Sequence, residues 1–341
     1  MSPEAGHIRI AVDAMGGDFA PRNTVAGAVE AVRDAGSRFS VVLVGPEDRL
    51  RAELGSSPGA LQHPALSVAH ASEIIEMHDS PTAALKSKKD SSIVVGVTLH
   101  REGKADAFVS AGNTGAVLSA STLLLGRIPG ASRPTIGTML PTEGSPCLLV
   151  DAGTNVDCRA RHLFEFAAMG SAYVSAMRGT ERPRVGLLSI GEEDSKGNEA
   201  SLEALALLRE SDLHFLGNIE GGDILAGRAD VVVCDGFVGN ILLKFGESIP
   251  GFLRSRFRTL ARRSLRGAAA AFLAGGALRG IMKELDYQEH GGVPLLGING
   301  VSIIGHGRSS PRAIRNMIFR AEEMVRKQVN GHIRQALLRF A

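Results

Sequence analysis

Short apolar, β-branched runs recur along the chain, and almost every one stops at glycine, aspartate or serine. They read as strands at 8–13 (IRIAVD), 40–45 (SVVLVG), 106–112 (DAFVSAG), 147–153 (CLLVDAG), 184–191 (RVGLLSIG), 214–219 (HFLGNI), 230–236 (DVVVCDG) and 301–305 (VSIIG). Continuous apolar runs of this length suit strands covered on both faces, the mark of parallel sheets. Helical periodicity alternates with them at 22–35, 91–103, 115–126, 159–178, 198–210, 238–285 (interrupted) and 311–337. The alternation predicts an α/β fold: right-handed βαβ crossovers in a doubly wound, mostly parallel sheet. Ligands of such sheets sit outside the carboxyl ends of the strands, which is where the polar motifs of this chain fall.

No internal repeat is visible, and residues 1–341 are read as a single α/β domain. One compositional break, 250–286, is arginine-rich first and alanine/glycine-rich later, and is read as a helical excursion from the sheet. A hydrophobic fraction of 44% and a charged fraction of 22% are those of an ordinary globular protein. A net charge of +2 gives no global attraction to nucleic acid or membrane, so any such preference is local. Cys147, Cys158 and Cys234 form no C-x-x-C pair, which argues against a disulfide scaffold or a metal site and fits a reducing cytoplasm. The start lacks the basic-then-apolar layout of a signal peptide, and no apolar run is long enough to span a bilayer.

Six strand-end loops and one lysine run carry candidate chemistry. "DAMGGD" (Asp13, Gly16, Gly17, Asp18) is either a tight turn or one lip of a site whose aspartates orient cationic groups. "SAGNTGA" (Ser110, Gly112, Asn113, Thr114, Gly115) leads into a helix; its N–H groups and side-chain donors make an anion pocket, unless Asn113 or Thr114 merely caps the helix. "KSKKDSSI" sets Lys86, Lys88 and Lys89 before a helix start, the wrong sign there unless an anion lies between; a solvated charge run is the alternative. In "GEEDSKGNEA" the acids around Lys196 are expected to keep it charged, as an electrostatic clamp; the alternative is a surface loop. In "CDGFVGNILLK" Asn240 either caps a helix or aims its amide at a developing oxyanion. "DAGTNVD" (Asn155) and "GHGRSS" (His306) complete the set. Together the six predict one rim that binds a phosphate-like anion and stabilises a charged intermediate. The chain has no G-x-G-x-x-G, P-loop, G-x-S-x-G or H-E-x-x-H motif, so neither a dinucleotide, a nucleotide, a hydrolase serine nor a zincin site is signalled.

Read together, "AVDAMGGDFAP", "KSKKDSSI", "VSAGNTGAVL", "LLSIGEEDSKGNE", "FLGNIEGGDI", "DVVVCDGFVGNILLK" and "GGVPLLGINGVSIIGHG" closely resemble the PlsX family of bacterial phosphate acyltransferases, in order from about residue 8 to about residue 330. The resemblance implies a Rossmann-like fold related to isocitrate and isopropylmalate dehydrogenases and to phosphotransacetylase. It implies transfer of a fatty acyl group from acyl carrier protein to inorganic phosphate, with no organic cofactor. The acyl phosphate product is then used by a glycerol-3-phosphate acyltransferase in phospholipid synthesis. It further implies a homodimer, cytoplasmic and peripherally associated with the membrane. By motif, Lys196 of "SKGN" and Asn240 of "GFVGN" are the residues expected to matter most for catalysis. The pattern departs at Thr154, Arg159 and Arg161.

On that basis the 110–115 loop with Lys86 or Lys89 holds phosphate, Lys196 and Asn240 donate to the tetrahedral oxyanion, and His306 protonates the departing thiolate. The stretch 252–267 sets Phe257, Leu260, Ala261 and Leu265 at helical spacing among Arg254, Arg256, Arg258, Arg262, Arg263 and Arg266. It is read as a contact for acidic carrier protein or anionic lipid, against a plain packed helix with a solvated basic face. The rival readings are a phosphotransacetylase using a coenzyme A thioester, a decarboxylating dehydrogenase of the related fold and a non-catalytic membrane scaffold.

Overall fold

In a computed structural model, residues 7–263, 275–276, 280 and 291–340 are described. The strands are β1 (Ile8–Asp13), β2 (Phe39–Gly45), β3 (Leu66–His70), β4 (Ala107–Ser110), β5 (Thr135–Leu140), β6 (Cys147–Val150), β7 (Val185–Leu188), β8 (Phe215–Ile219), β9 (Val231–Val233), β10 (Val293–Leu296) and β11 (Ser302–Ile304). The helices are α1 (Arg22–Ala35), α2 (Glu47–Gly55), α3 (Pro81–Ser87), α4 (Ser92–Arg101), α5 (Thr114–Leu124), α6 (Ala160–Arg178), α7 (Glu199–Arg209), α8 (Gly221–Ala226), α9 (Gly236–Arg263), α10 (Pro311–Arg326) and α11 (Val329–Leu338).

All eleven strands join one sheet in the order β3-β2-β1-β4-β11-β10-β5-β6-β9-β7-β8. Its pairings are parallel except three consecutive ones at the centre, β11–β10, β10–β5 and β5–β6. The interior strands are apolar on both faces, and β4 and β9 are wholly buried, as their unbroken runs require. The three antiparallel pairings have a consequence that the alternation of strand and helix does not reveal. The group β3-β2-β1-β4-β11 runs one way and the group β6-β9-β7-β8 runs the other. The carboxyl ends of the two groups therefore lie at opposite edges, and the expected single rim is instead two sets of three loops.

The strands that periodicity misses have physical excuses. β3 is a half-exposed edge strand, β5 is interrupted by Gly137, and β10 (VPLL) carries a proline. Several predicted strands end early because their Gly, Asp and Ser residues turn into the loop: 106–112 ends at Ser110 and 230–236 at Val233. The expected helix 311–337 is two, parted at Gln328, whose φ of 50° no helix tolerates. Beyond Arg263, most of the expected helical excursion lies outside the described residues, including Leu265, Arg266 and Phe272.

α1 and α10 pack together over the first group of strands, with Gly27 at the closest approach. A Cβ there would lie 2.7 Å from the Ile314 Cβ. We expect Gly27→Ala to lower stability by about 1–3 kcal/mol, as overpacking does. Gly331→Ala, in open space on α11, should raise it by up to about 1 kcal/mol. Denaturant melts of the two variants measure both.

Candidate functional site

The loops after β1, β4 and β11 make the first set. Asp13 is 1% exposed. Its carboxylate accepts hydrogen bonds from Ser110 Oγ at 2.6 Å and Met15 N at 3.1 Å. Ser110 Oγ accepts in turn from Gly112 N at 3.0 Å. Burial pushes the Asp13 carboxyl above the ordinary carboxylate range, and the hydrogen bonds pull it part of the way back. Gly16 lies in this crossing, where a Cβ would sit 2.5 Å from Asp13 Oδ2 and 2.7 Å from Gly112 N. Gly17 turns with φ of 105°, and Asp18 N donates to Gly307 O at 2.7 Å, tying the first loop to the third. The aspartates do not orient cations here: Asp13 holds a hydroxyl and a main-chain N–H, and exposed Asp18 forms no ion pair among the described residues.

Asn113 acts as the cap of α5. Its Oδ1 accepts from Ala116 N at 3.0 Å, while Nδ2 donates to the carbonyls of Glu76, Met77 and Asp79 at 3.0–3.2 Å. Its side-chain donors are thus engaged within the protein. Lys88 extends the network, donating to Asp79 Oδ2 at 2.5 Å and Ile74 O at 2.8 Å. That bond holds the Asp79 carboxyl below its usual range. Lys86 and Lys89, on either side, are exposed and pair with no acid among the described residues. The N–H groups of Asn113, Thr114 and Gly115 find no acceptor among the described residues, and Thr114 is exposed. Gly115 lets Pro81 close on this helix start, since a Cβ would lie 2.5 Å from its Cγ. His306 is exposed, and its Nδ1 accepts from Arg308 N at 3.1 Å, so the neutral ring carries its proton on Nε2.

The loops after β6, β7 and β9 make the second set. Asp151 is fully buried and gathers four donors: the N–H groups of Gly153 (3.0 Å), Thr154 (2.9 Å) and Asn155 (2.7 Å), and Asn155 Nδ2 (2.7 Å). Asn155 Nδ2 also donates to Pro134 O at 2.9 Å, so this amide shapes the loop rather than offering donors to a ligand. Asp235 caps α9 through Val238 N at 2.8 Å. The cap is therefore Asp235, and Asn240 is left for other work. Asn240 is exposed, makes no hydrogen bond among the described residues, and lies over Gly153, whose missing Cβ would be 3.3 Å from Asn240 Oδ1.

Lys196 is exposed in the β7–α7 loop. Two of the acids expected to clamp it are engaged elsewhere: Glu192 pairs with Arg228, and Asp194 with Arg209 at 2.5 Å, while Glu193 forms no ion pair among the described residues. Asn218 Nδ2 holds the loop at Glu193 O, 3.0 Å away. Lys196 has no acid partner among the described residues. β7 and β9 are neighbours, so Lys196 and Asn240 project from the same edge of the sheet. A cavity of about 490 Å³ opens there between β7, β9, α7 and α9.

The loop after β6 and the flank of α5 border a second cavity, of about 360 Å³. Thr82 and α5 line one wall, and Pro134, Thr154 and Asn155 the other. Contacts run from Asn240 through Gly153 to Thr154 on one side, and from Thr82 through Pro81 to Gly115 on the other. The buried Thr154 hydroxyl has no hydrogen-bond partner among the described residues.

Residues 8–332 match the sequence profile of a family described as "Fatty acid synthesis protein". A phosphate acyltransferase of Heliobacterium modesticaldum is 49% identical over 329 residues, 96% of this chain and 97% of that protein. One from Chlorobaculum parvum is 48% identical over 335 residues, 96% and 98% of the two chains. This chain belongs to that family. In fold, the family member also resembles a phosphotransacetylase of Streptococcus pyogenes (TM-score 0.61, 17% identity, 94% of each chain covered). The EutD phosphotransacetylase of Staphylococcus aureus is similar too (TM-score 0.58, 16% identity, 94% of this chain and 95% of that one).

Sequence reasoning gives no individual role to three residues that organise this family member's site: Asp151, Lys88 and Thr154. Asp151 had a visible signal, because "VDA" occurs at both 12–14 and 150–152, each time ending a strand. The thiols are ruled out as nucleophiles. Burial pushes Cys158 up to about 12 and Cys147 to about 11, and Cys234 rises well above the ordinary thiol value. An unfolded thiol ionises near 9 while native Cys158 holds its proton to about 12, so stability falls as pH rises between the two. We expect the denaturant midpoint to drop less steeply between about pH 9 and 11 in Cys158→Ala than in the wild type. Equal slopes would place the native thiol near its ordinary value.

Proposed function

We propose that this chain, a phosphate acyltransferase by family, takes a fatty acyl group from a thioester of acyl carrier protein and delivers it to inorganic phosphate. One observation carries the catalytic assignment. Lys196 and Asn240 stand after adjacent strands with an ammonium and an amide that no described residue engages, although Asp194 and Asp235 beside them are tied down. Two donors so placed suit a developing oxyanion.

A phosphate oxygen attacks the thioester carbonyl carbon, and the carbonyl oxygen becomes the oxyanion that Lys196 and Asn240 stabilise. The C–S bond then breaks, giving acyl phosphate and the carrier's thiolate. A thiol pKa near about 8.5 lets that group leave without a proton donor. Phosphate is assigned to the first set: the N–H groups of Asn113, Thr114 and Gly115 offer donors and the positive end of α5, with Lys86 and Lys89 nearby in the chain. Holding the two reactants in line contributes about 7–11 kcal/mol to the rate without any covalent intermediate. The reaction calls for no organic cofactor and no metal.

The proposal extends to the cell surface. α9 is about 42 Å long at the usual helical rise. It exposes Phe237, Ile241, Phe245 and Phe252 at spacings of four, four and seven, with Leu253, Phe257 and Ala261 half-buried. Arg254, Arg256, Arg258 and Arg262 are exposed around them. An apolar row flanked by arginines suits peripheral contact with anionic lipid on the cytoplasmic side, and the same charge suits an acidic carrier protein. Among the described residues no helix is long and apolar enough to cross a membrane. The reading includes a homodimer, with the acyl phosphate passed to a glycerol-3-phosphate acyltransferase.

The deciding assay is phosphate-dependent release of thiol from a long-chain acyl carrier protein, with hydroxylamine trapping of the product. Acyl hydroxamate is expected only when phosphate is present. Turnover with acyl-coenzyme A but not with the carrier protein would favour the phosphotransacetylase alternative. Lys196→Ala and Asn240→Ala should each lower kcat by about 10²–10³, and near wild-type turnover would remove the residue from the oxyanion site. The double charge reversal Arg258→Glu/Arg262→Glu should release the protein from anionic vesicles in a flotation assay while leaving neutral-vesicle binding unchanged.

A further inference from the structure

The cavity of about 490 Å³ beside Lys196 is within the range of small-molecule sites, and its chemistry is unlike that of the phosphate end. Its floor is buried and apolar, made by Leu163, Leu187 and Cys234. Ala200 of α7 and Leu242 of α9 form walls, and Ile190, 83% exposed, stands at the mouth. Among the described residues no lysine, arginine or histidine lines it; the acidic groups at its edge are the carboxyls of Asp157 and Asp235. Carboxylates over an apolar floor repel a phosphate and admit an uncharged chain. The mouth adjoins one of the reacting groups: Gly197 and Asn198 follow Lys196 directly, while Val238 and Leu242, four apart, share the face of α9 that lines the cavity.

We propose that this cavity receives the acyl chain of the thioester substrate, and that Ala200 and Leu242 set the chain length accepted. The proposal rests on the acyl-transfer reading above. It orients the substrate: carbonyl beside Lys196, hydrocarbon inward between α7 and α9, thioester sulfur and carrier arm outward. Ile190 then gains an apolar partner when the chain is bound. Each methylene gained or lost in an apolar pocket changes discrimination by about tenfold or more.

The test compares butanoyl and hexadecanoyl thioesters of the carrier protein on the wild type, Ala200→Leu and Leu242→Ala. Ala200→Leu should cut kcat/KM for the hexadecanoyl donor about tenfold or more while leaving the butanoyl donor within about twofold. Leu242→Ala should shift preference toward the longer chain. A loss equal at both lengths, or no change at either, overturns the proposal and leaves the acyl-transfer reading standing. A binding measurement separates the two claims further, using the unreactive S-hexadecyl and S-butyl thioethers of pantetheine. Tighter wild-type binding of the hexadecyl compound, lost in Ala200→Leu, supports the cavity even if phosphate-dependent transfer fails. Equal binding of both compounds assigns the cavity to the pantetheine arm and overturns the proposal.

Discussion

Two buried carboxylates hold the site in shape. An ionised aspartate in a protein interior is costly unless donors surround it. Asp13 and Asp151, each at the end of a strand beginning one half of the sheet, meet that condition by folding the following loop back onto themselves. Each accepts the N–H of the residue two places on, Met15 at 3.1 Å and Gly153 at 3.0 Å. Asp13 adds the Ser110 hydroxyl and through it Gly112, while Asp151 adds Thr154 and both nitrogens of Asn155. The glycines at these turns follow from the same geometry, because Gly16 and Gly112 pack against the Asp13 carboxylate where a side chain would displace it.

Once those loops are anchored, function is carried by the polar groups that anchoring leaves over. Most polar side chains in the six loops have structural work: Ser110, Asn113, Lys88, Asn155, Asp235 and Asn198 are all engaged by the backbone or by each other. The strand reversal at the centre of the sheet divides the remainder in two. One part offers main-chain N–H groups and lysines, a setting for an anion. The other offers one ammonium and one amide beside an apolar cavity, a setting for a polarised carbonyl with a hydrocarbon tail. A reaction between an anion and a thioester needs both settings within reach of one pair of substrates, and the cavity between Thr82 and Thr154 is where elements of the two halves meet.

Fold class and the position of every motif at a strand end are legible in the sequence, because burial on both faces leaves an unbroken apolar run. The strand reversal is not. It depends on β5 and β10, whose glycine and proline mask them as strands, and whose partners are distant in the chain. Lys196 and Asn240 are legible only through their motifs, since spacing alone leaves Lys196 clamped by acids and Asn240 as a cap. The structure decides between the local alternatives: Arg209 and Arg228, distant in the chain, draw off two of the acids, and Asp235, within the same motif, takes the cap. Asn113 goes the other way, from anion ligand to cap, because the loop at 76–79 comes back to meet it. Local sequence lists the donors, and tertiary contacts decide which of them remain available.

The same accounting bears on how the acyl group moves. A covalent route would need a nucleophile on the chain, activated by a base or by a lowered pKa. The thiols are disqualified by burial beside carboxylates, which keeps Cys158 protonated to about 12. The Ser110 hydroxyl is 1% exposed, and its hydrogen points at Asp13 within a closed loop crossing, out of reach of a carrier-bound thioester. Lys196 is exposed, and its ammonium has no hydrogen-bond partner among the described residues that could act on it as a base. A charged lysine is a poor attacking group and a good oxyanion partner. Phosphate brings its own nucleophilic oxygen at neutral pH, so the chain has only to align it and to stabilise the charge that its attack creates.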